Sequence, residues 1–174
     1  MPTLSAPPTP HPPPRWATII ATSFGAGFSP IAPGTMGTLT AIPMAWALRR
    51  FEWPVFLAAT IVITAVGTIA ASAFQGAWGT DDDQRIVVDE VAGYFVTLLL
   101  VPKTWAAFLL AFFLFRLFDI WKPYPVRLID RHVGGGWGVM ADDLAAGVYG
   151  ALVLFLLYHF GVVSKLIAAA PWLS

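Results

Sequence analysis

Between Trp53 and Phe74 the chain runs 22 residues without a formal charge. As a helix this stretch is about 33 Å long, enough to cross a hydrocarbon core of roughly 30 Å. Leu144 to Val163 adds 20 residues without a formal charge, His159 being taken as neutral. In a bilayer each backbone amide has to be satisfied within its own segment, which selects helix. Composition agrees: 57% of the residues are hydrophobic and 11% charged, with a mean hydropathy of +0.71. A soluble domain carries about 25% charged residues. Three shorter apolar pieces, Met36–Leu48, Ile86–Val101 and Thr104–Trp121, read as further passes, the first short or kinked at Pro43. The expected fold is all-α: an integral membrane helical bundle of about four to five spans, with a polar site at one membrane face. Its 174 residues suit one domain, residues 16–174, behind a Pro-rich tail, 1–15, expected to be disordered or polyproline-like. That tail lacks the basic start and apolar centre of a signal peptide.

The charges exclude some functions. Net charge is zero, so neither nucleic acid nor a purely electrostatic membrane partner is indicated. There is no cysteine, which removes thiol catalysis, disulfides and thiolate metal sites. The charges that remain are clustered. Alternate passes put the Gly/Pro-rich loop Ser23–Thr38, Asp89-Glu90, Arg116–Lys122, Arg127–Asp130 and Asp142-Asp143 on one side, and only two short turns and the C-terminal tail on the other. The first side holds six basic residues and the second four, which favours a cytoplasmic placement for the first. Ionisable groups close to hydrocarbon are costly, so several clusters at one depth point to one site.

Within the clusters, Arg116 and Asp119 share a helical face at i, i+3. Pro123 disfavours helix at the residue before it, so that helix is expected to end near Trp121, with Lys122 in its exit turn. Residues 122–141 read as a loop closing at Gly134-Gly-Gly136-Trp-Gly138, with Asp142-Asp143 opening the last span, where negative charge also suits a helix N-terminus. Gly93 lies one turn after Asp89, and Gly147 one turn after Asp143. Small residues let membrane helices meet backbone to backbone, and the carboxylates would then converge. Asp81-Asp82-Asp83 reads as a solvated acidic loop, and His132 as a loop or structural residue.

Four or more carboxylates, little His and no Cys favour a hard divalent cation, Mg²⁺ first. Arg and Lys among the acids favour a phosphate-bearing substrate, since Arg grips phosphate with a planar fork and Lys acts as a point charge. At a membrane face this combination suggests phosphoryl chemistry on a lipid headgroup, with water activated by the metal and an aspartyl-phosphate route left open.

Four blocks then resemble the phosphatidylglycerophosphatase A family, Mg²⁺-dependent lipid phosphatases of bacterial inner membranes. They are Gly25–Thr38, Asp89-Glu90-Val-Ala-Gly93, Arg116-Leu-Phe-Asp119-Ile-Trp-Lys122-Pro-Tyr-Pro-Val-Arg127-Leu-Ile-Asp130-Arg131, and Gly135-Gly-Trp-Gly-Val-Met-Ala-Asp142-Asp143-Leu-Ala-Ala-Gly147. They stand in the family's order and cover most of residues 23–163. Thr38 stands where the family's loop commonly ends in Ser; the hydroxyl is kept. The resemblance implies hydrolysis of phosphatidylglycerophosphate to phosphatidylglycerol and phosphate, at a cytoplasmic-face site where that lipid is made. On this expectation Asp89, Glu90, Asp142 and Asp143 hold Mg²⁺. Asp119 is a further ligand, base or nucleophile, and Arg116, Lys122 and Arg127 hold the phosphate. Ser29, Gly34 and Thr35 seat the substrate, and Asp130 orients Arg127 or Arg131.

Two other classes use parts of the same pattern. An ion or proton transporter would use intramembrane acids as a relay, yet no span carries a charge near its middle. A lipid-headgroup phosphotransferase would share the metal and phosphate logic but needs a second substrate.

Overall fold

The structure is a computed structural model and describes residues 12–79 and 83–174. Most of the Pro-rich tail, and Asp81 and Asp82 of the acidic run, lie outside the described residues. Among these residues there are eight α-helices and no strand: α1 (Arg15–Ala21), α2 (Pro33–Ala47), α3 (Trp53–Trp78), α4 (Val88–Thr97), α5 (Trp105–Trp121), α6 (Val126–His132), α7 (Gly135–His159) and α8 (Val162–Ala169). The all-α expectation holds. Two helices, α3 and α7, are long and apolar enough to cross a membrane. The helices α2, α4 and α5 are shorter, at about 22, 15 and 26 Å by their residue counts.

Local chemistry sets the ends. Gly79, with φ +66°, caps α3 in the left-handed conformation, and its N–H donates to the Gln75 carbonyl at 2.8 Å. Thr104 caps the start of α5, its Oγ1 accepting from the Ala107 N–H at 3.2 Å. That helix ends at Trp121 as expected. Lys122 turns left-handed at φ +46°, and Pro123 forbids continuation. A lysine in this conformation costs about 1 kcal/mol or more; two ion pairs hold it there.

The short α4 is the centre of the bundle. Eight of its ten residues are buried, and α2, α3, α5 and α7 enclose it. Phe95 stacks on Phe56 with centroids 5.0 Å apart, and the Tyr94 hydroxyl donates to the Phe108 carbonyl at 3.0 Å. One glycine on each helix, Gly93 of α4 and Gly147 of α7, opens their crossing. A Cβ on Gly147 would stand 2.4 Å from the Gly93 carbonyl oxygen, and a Cβ on Gly93 would stand 2.6 Å from the Asp143 carbonyl oxygen. Thr97 Oγ1 lies in the same crossing, 3.0 Å from the Gly93 carbonyl and 3.3 Å from that of Gly147.

The bundle has two chemically different ends. At one, the α2–α3 and α4–α5 turns meet: Trp53 Nε1 donates to the Leu99 carbonyl at 3.1 Å, and the Trp46 and Trp105 rings lie 6.3 Å apart. Arg49 and Lys103 pack over aromatic rings here. Tryptophans with long cations are the usual furniture of a membrane–water boundary. At the other end lie the clustered carboxylates, apart from Glu52, which stands just before α3 at the tryptophan end.

One stretch departs from expectation. Residues 122–141 are not one loop: 126–132 form α6, and α7 begins at Gly135. The glycines there serve close packing. A Cβ on Gly136 would stand 2.2 Å from Ser72 Oγ, and one on Gly138 2.0 Å from the Val133 carbonyl oxygen. Asp142 and Asp143 are therefore two turns inside α7, and its N-terminal dipole does not explain them.

Gly147→Val should lower stability in detergent by about 1–3 kcal/mol or more, because its side chain has no room against α4. Gly76→Ala, in α3 with nothing within 4 Å of the added carbon, should be neutral or slightly stabilising. Thermal unfolding of both variants checks the close-packing account; equal melting temperatures would contradict it.

Candidate active site

Adjacent residues on a helix point about 100° apart, and α7 uses this to split its acids. Asp143 turns to α4, where its carboxylate joins those of Asp89 and Glu90, with one oxygen from each within 4.8 Å of the others. Asp142 turns instead toward the end of α5, where the Lys122 ammonium donates to its Oδ2 at 2.7 Å. Lys122 also pairs with Asp130 of α6. This lysine thus ties α5, α6 and α7 together. Burial pulls its ammonium toward neutrality, but the two carboxylates outweigh that and raise it above the ordinary lysine value, so it stays cationic.

Three acids converge in a buried place, and two of their oxygens, Asp89 Oδ1 and Glu90 Oε2, have no hydrogen-bond partner. Buried carboxylate oxygens are normally satisfied, and unpaired ones repel one another in a medium of low polarity. A hard divalent cation answers both problems, since it takes carboxylate oxygens as ligands. The donor set therefore fits a metal ion.

Arg116 stands over the trio. Its Nη1 is 2.6 Å from Asp119 Oδ2 and 3.7 Å from Glu90 Oε1. Neither contact has hydrogen-bond geometry, and Nη1 and Nε are buried without an acceptor. Gly34, at the start of α2, closes the other side: a Cβ there would stand 2.1 Å from Glu90 Oε1 and 3.1 Å from Arg116 Nη1. These groups line a cleft of about 450 Å³, lined also by Asp83, Gln84, Gly134 and Gly135.

The structure brings together Asp89, Glu90, Asp142, Asp143, Arg116, Asp119, Lys122, Asp130 and Gly34. Other expected residues fall elsewhere. Ser29 Oγ donates to the Ile31 carbonyl at 2.8 Å, and neither Ser29 nor Thr35 lines the cleft. Arg127 lines a neighbouring pocket. Asp130 accepts from Lys122 and orients neither Arg127 nor Arg131. His132 Nδ1 lies 2.9 Å from the Leu128 carbonyl on the exposed face of α6, as a structural residue would. Asp83, Gln84, Gly134 and Gly135 were not singled out from sequence. Asp83 sat within a run resembling a solvated loop, and the glycines resembled a linker.

An all-helical protein with membrane-length helices, a buried carboxylate trio and two cations facing one cleft has the parts of an enzyme that works on phosphate esters. The chain belongs to the phosphatidylglycerophosphatase A family, whose profile matches residues 19–158. A phosphatidylglycerophosphatase A of Escherichia coli is 37% identical over 142 residues, 81% of this chain and 83% of the relative. One from Haemophilus influenzae is 34% identical over 144 residues, 82% of this chain and 88% of the relative. A Bacteroides thetaiotaomicron protein named "Putative phosphatidylinositol-3-phosphatase" is 41% identical over 145 residues, 78% of this chain and 89% of the relative. No solved structure gives a significant match.

Divalent cations should raise the melting temperature of the protein in detergent, by the equivalent of about 2.7 kcal/mol at about a hundred times the dissociation constant. Asp143→Asn should abolish that rise, and in chelator it should be no less stable than the parent, because it removes one of three mutually repelling charges. A cation-induced rise of equal size in the variant would contradict the trio as a metal site.

Proposed function

We propose that this chain hydrolyses the terminal phosphomonoester of phosphatidylglycerophosphate, releasing phosphatidylglycerol and inorganic phosphate, with Mg²⁺ held by Asp89, Glu90 and Asp143. What carries the reading is the juxtaposition in one cleft of that trio, two of whose oxygens lack a hydrogen-bond partner, and the Arg116 guanidinium, ion-paired to Asp119 and Glu90 but with Nε and Nη1 lacking hydrogen-bond acceptors. The family membership and the two relatives named phosphatidylglycerophosphatase A support the choice of lipid.

When bound, Mg²⁺ supplies Lewis-acid stabilisation of phosphoryl charge and a more acidic water. The protein's residues do the rest. Arg116, whose Nε and Nη1 lack a hydrogen-bond acceptor, offers a planar, multidentate guanidinium to the phosphoryl oxygens. Lys122, kept cationic by Asp130 and Asp142, adds a fixed positive charge at the cleft wall. Asp119, beside Arg116 at 2.6 Å, accepts the proton of the attacking water as its oxygen bonds to phosphorus. The bond from phosphorus to the glycerol oxygen breaks, that oxygen takes a proton from solvent water to become the free hydroxyl of the product, and Asp119 returns its proton to solvent, so the protons balance.

Residues 16–174 form the catalytic domain in this reading, lodged in a bacterial inner membrane. Full crossings by α3 and α7, and thinner ones by α2 and α5, give four spans, with α4 lying inside them. The tryptophan end sits at one boundary and the cleft at the other, facing the cytoplasm in keeping with the basic residues on that side.

Phosphate release from phosphatidylglycerophosphate in detergent micelles should require Mg²⁺ and stop with excess chelator. Asp89→Asn and Asp119→Asn should each lower kcat by about two to four orders of magnitude in protein that remains folded. Arg116→Lys should not restore the parental rate, because a point charge replaces a fork. Near-parental turnover by both Asp variants would sink the assignment.

A further inference from the structure

Lys122 lines two pockets. The first is the carboxylate cleft. The second, of about 480 Å³, lies against α6 and is lined also by Trp121, Tyr124, Arg127, Arg131 and His132. Its electrostatic character is the reverse of the first. No carboxylate lines it among the described residues, whereas Asp130, the acid of α6, is committed to Lys122 on the cleft side. Arg127 and Arg131 are four residues apart on α6, so they share a face, and neither has an ion-pair partner among the described residues. Like charges at this spacing weaken a helix, and α6 has only seven residues with which to resist. Local stability does not explain the pair.

The surroundings match a lipid. Trp121 and Tyr124 are 61% and 78% exposed at the rim, where amphipathic rings sit between headgroups and acyl chains. The turn that carries them is fixed in place by the Tyr149 hydroxyl, which donates to the Tyr124 carbonyl at 2.8 Å. The chemistry of the proposed substrate supplies the occupant. Phosphatidylglycerophosphate carries two phosphates, a terminal monoester and an internal diester, joined by a three-carbon glycerol. With the monoester at Arg116 and the carboxylate trio, the diester falls on the lipid side of it.

We infer that the Arg127–Arg131 pocket binds the internal phosphodiester of the lipid substrate and so selects lipids that carry a phosphodiester behind the scissile phosphate. This rests on the proposed reaction and deepens it. It also moves Arg127 from the reacting phosphate, where the sequence suggested it, to the one that is left intact. Two guanidinium forks suit a diester's two free oxygens, and Lys122 stands between the two anions as a shared counter-charge. The diester of a neighbouring anionic lipid has the same chemistry, so the test has to separate the two sources.

The test uses the purified full-length chain in detergent micelles with Mg²⁺, as the parent, as Arg127→Gln/Arg131→Gln and as Arg127→Lys/Arg131→Lys. The Gln pair should lower kcat/KM on phosphatidylglycerophosphate about tenfold or more, chiefly through KM, and the Lys pair should recover part of it. Two inhibitors read the pockets separately. Inorganic phosphate reports on the carboxylate cleft, and its inhibition constant should be unchanged in the Gln pair. Short-chain phosphatidylglycerol carries only the diester; it should compete with substrate in the parent and weaken about tenfold or more in the Gln pair. Three results would overturn the inference: no competition by phosphatidylglycerol in the parent, equal weakening of both inhibitors, or no change in either. Activation by added phosphatidylglycerol that disappears in the Gln pair would also overturn it, by assigning the arginines to a bystander lipid. Absence of phosphate release by the parent would overturn the proposed reaction instead, a separate failure.

Discussion

The crossing of α4 and α7 is the constraint on which the site depends. Gly93 and Gly147 have no side chains to hold the helices apart, and Thr97 fills the gap with a hydroxyl near both glycine carbonyls. Asp89 is one turn before Gly93 and Asp143 is one turn before Gly147. Once the glycines touch, helical geometry leaves the two carboxylates as neighbours, and Glu90 follows from its place beside Asp89. Packing energy from the apolar remainder of α4 thus offsets a cluster of like charges that would not assemble on its own account. A substitution at either glycine acts on the chemistry without touching a reacting group.

Lys122 is the second organising element. Its left-handed backbone ends α5, and its ammonium draws Asp142 away from the trio and Asp130 away from the arginines of α6. The acids and bases are consequently sorted: an acid-rich cleft on one side of the lysine, a basic pocket on the other. That sorting is unlike a proton relay. The acids of the cleft gather at one end of the bundle; at the other, where Trp46, Trp53 and Trp105 collect, Glu52 stands just before α3, and residues 53–78, 91–118 and 144–159 between the two ends hold no acid to relay a proton.

Much of this was legible in sequence, for identifiable reasons. The end of α5 followed from Lys122-Pro123, where a steric rule acts on neighbouring residues. The meeting of Asp89 with Asp143 followed from glycines one turn away on each helix. What was not legible depended on contacts between distant segments. Gly134 to Gly138 carries the composition of a linker, yet it starts a 25-residue helix because Gly136 and Gly138 pack against Ser72 and Val133. Nothing local distinguishes a glycine that frees the backbone from one that admits a neighbour. Asp142 and Asp143 likewise look equivalent, and only the positions of α4 and α5 give them different partners. Arg127 has the right type for a phosphate ligand, but which phosphate it faces depends on the placement of α6, a helix masked by Pro123 and Pro125.

The sorting of charge also bears on how an anionic lipid enters. Asp83, Asp89, Glu90, Asp119, Asp130, Asp142 and Asp143 line the cleft against Arg116 and Lys122, an excess of five formal negative charges. A phosphomonoester approaching this cleft is repelled until a cation is in place, and a single divalent ion cancels only two of the five excess charges. The remaining attraction has to come from outside the cleft. Arg127 and Arg131, with no ion-pair partner among the described residues, carry two positive charges on the neighbouring face, beside exposed aromatic rings suited to the headgroup layer. Within a screening length of about 8 Å these charges act on the substrate together. A lipid with a second phosphate is held by its diester at the basic pocket while its monoester enters the acidic one. A lipid with a single phosphate has no anchor there and meets the repulsion unaided. On this argument the acidity of the cleft, needed for the metal, is itself what makes the basic pocket necessary.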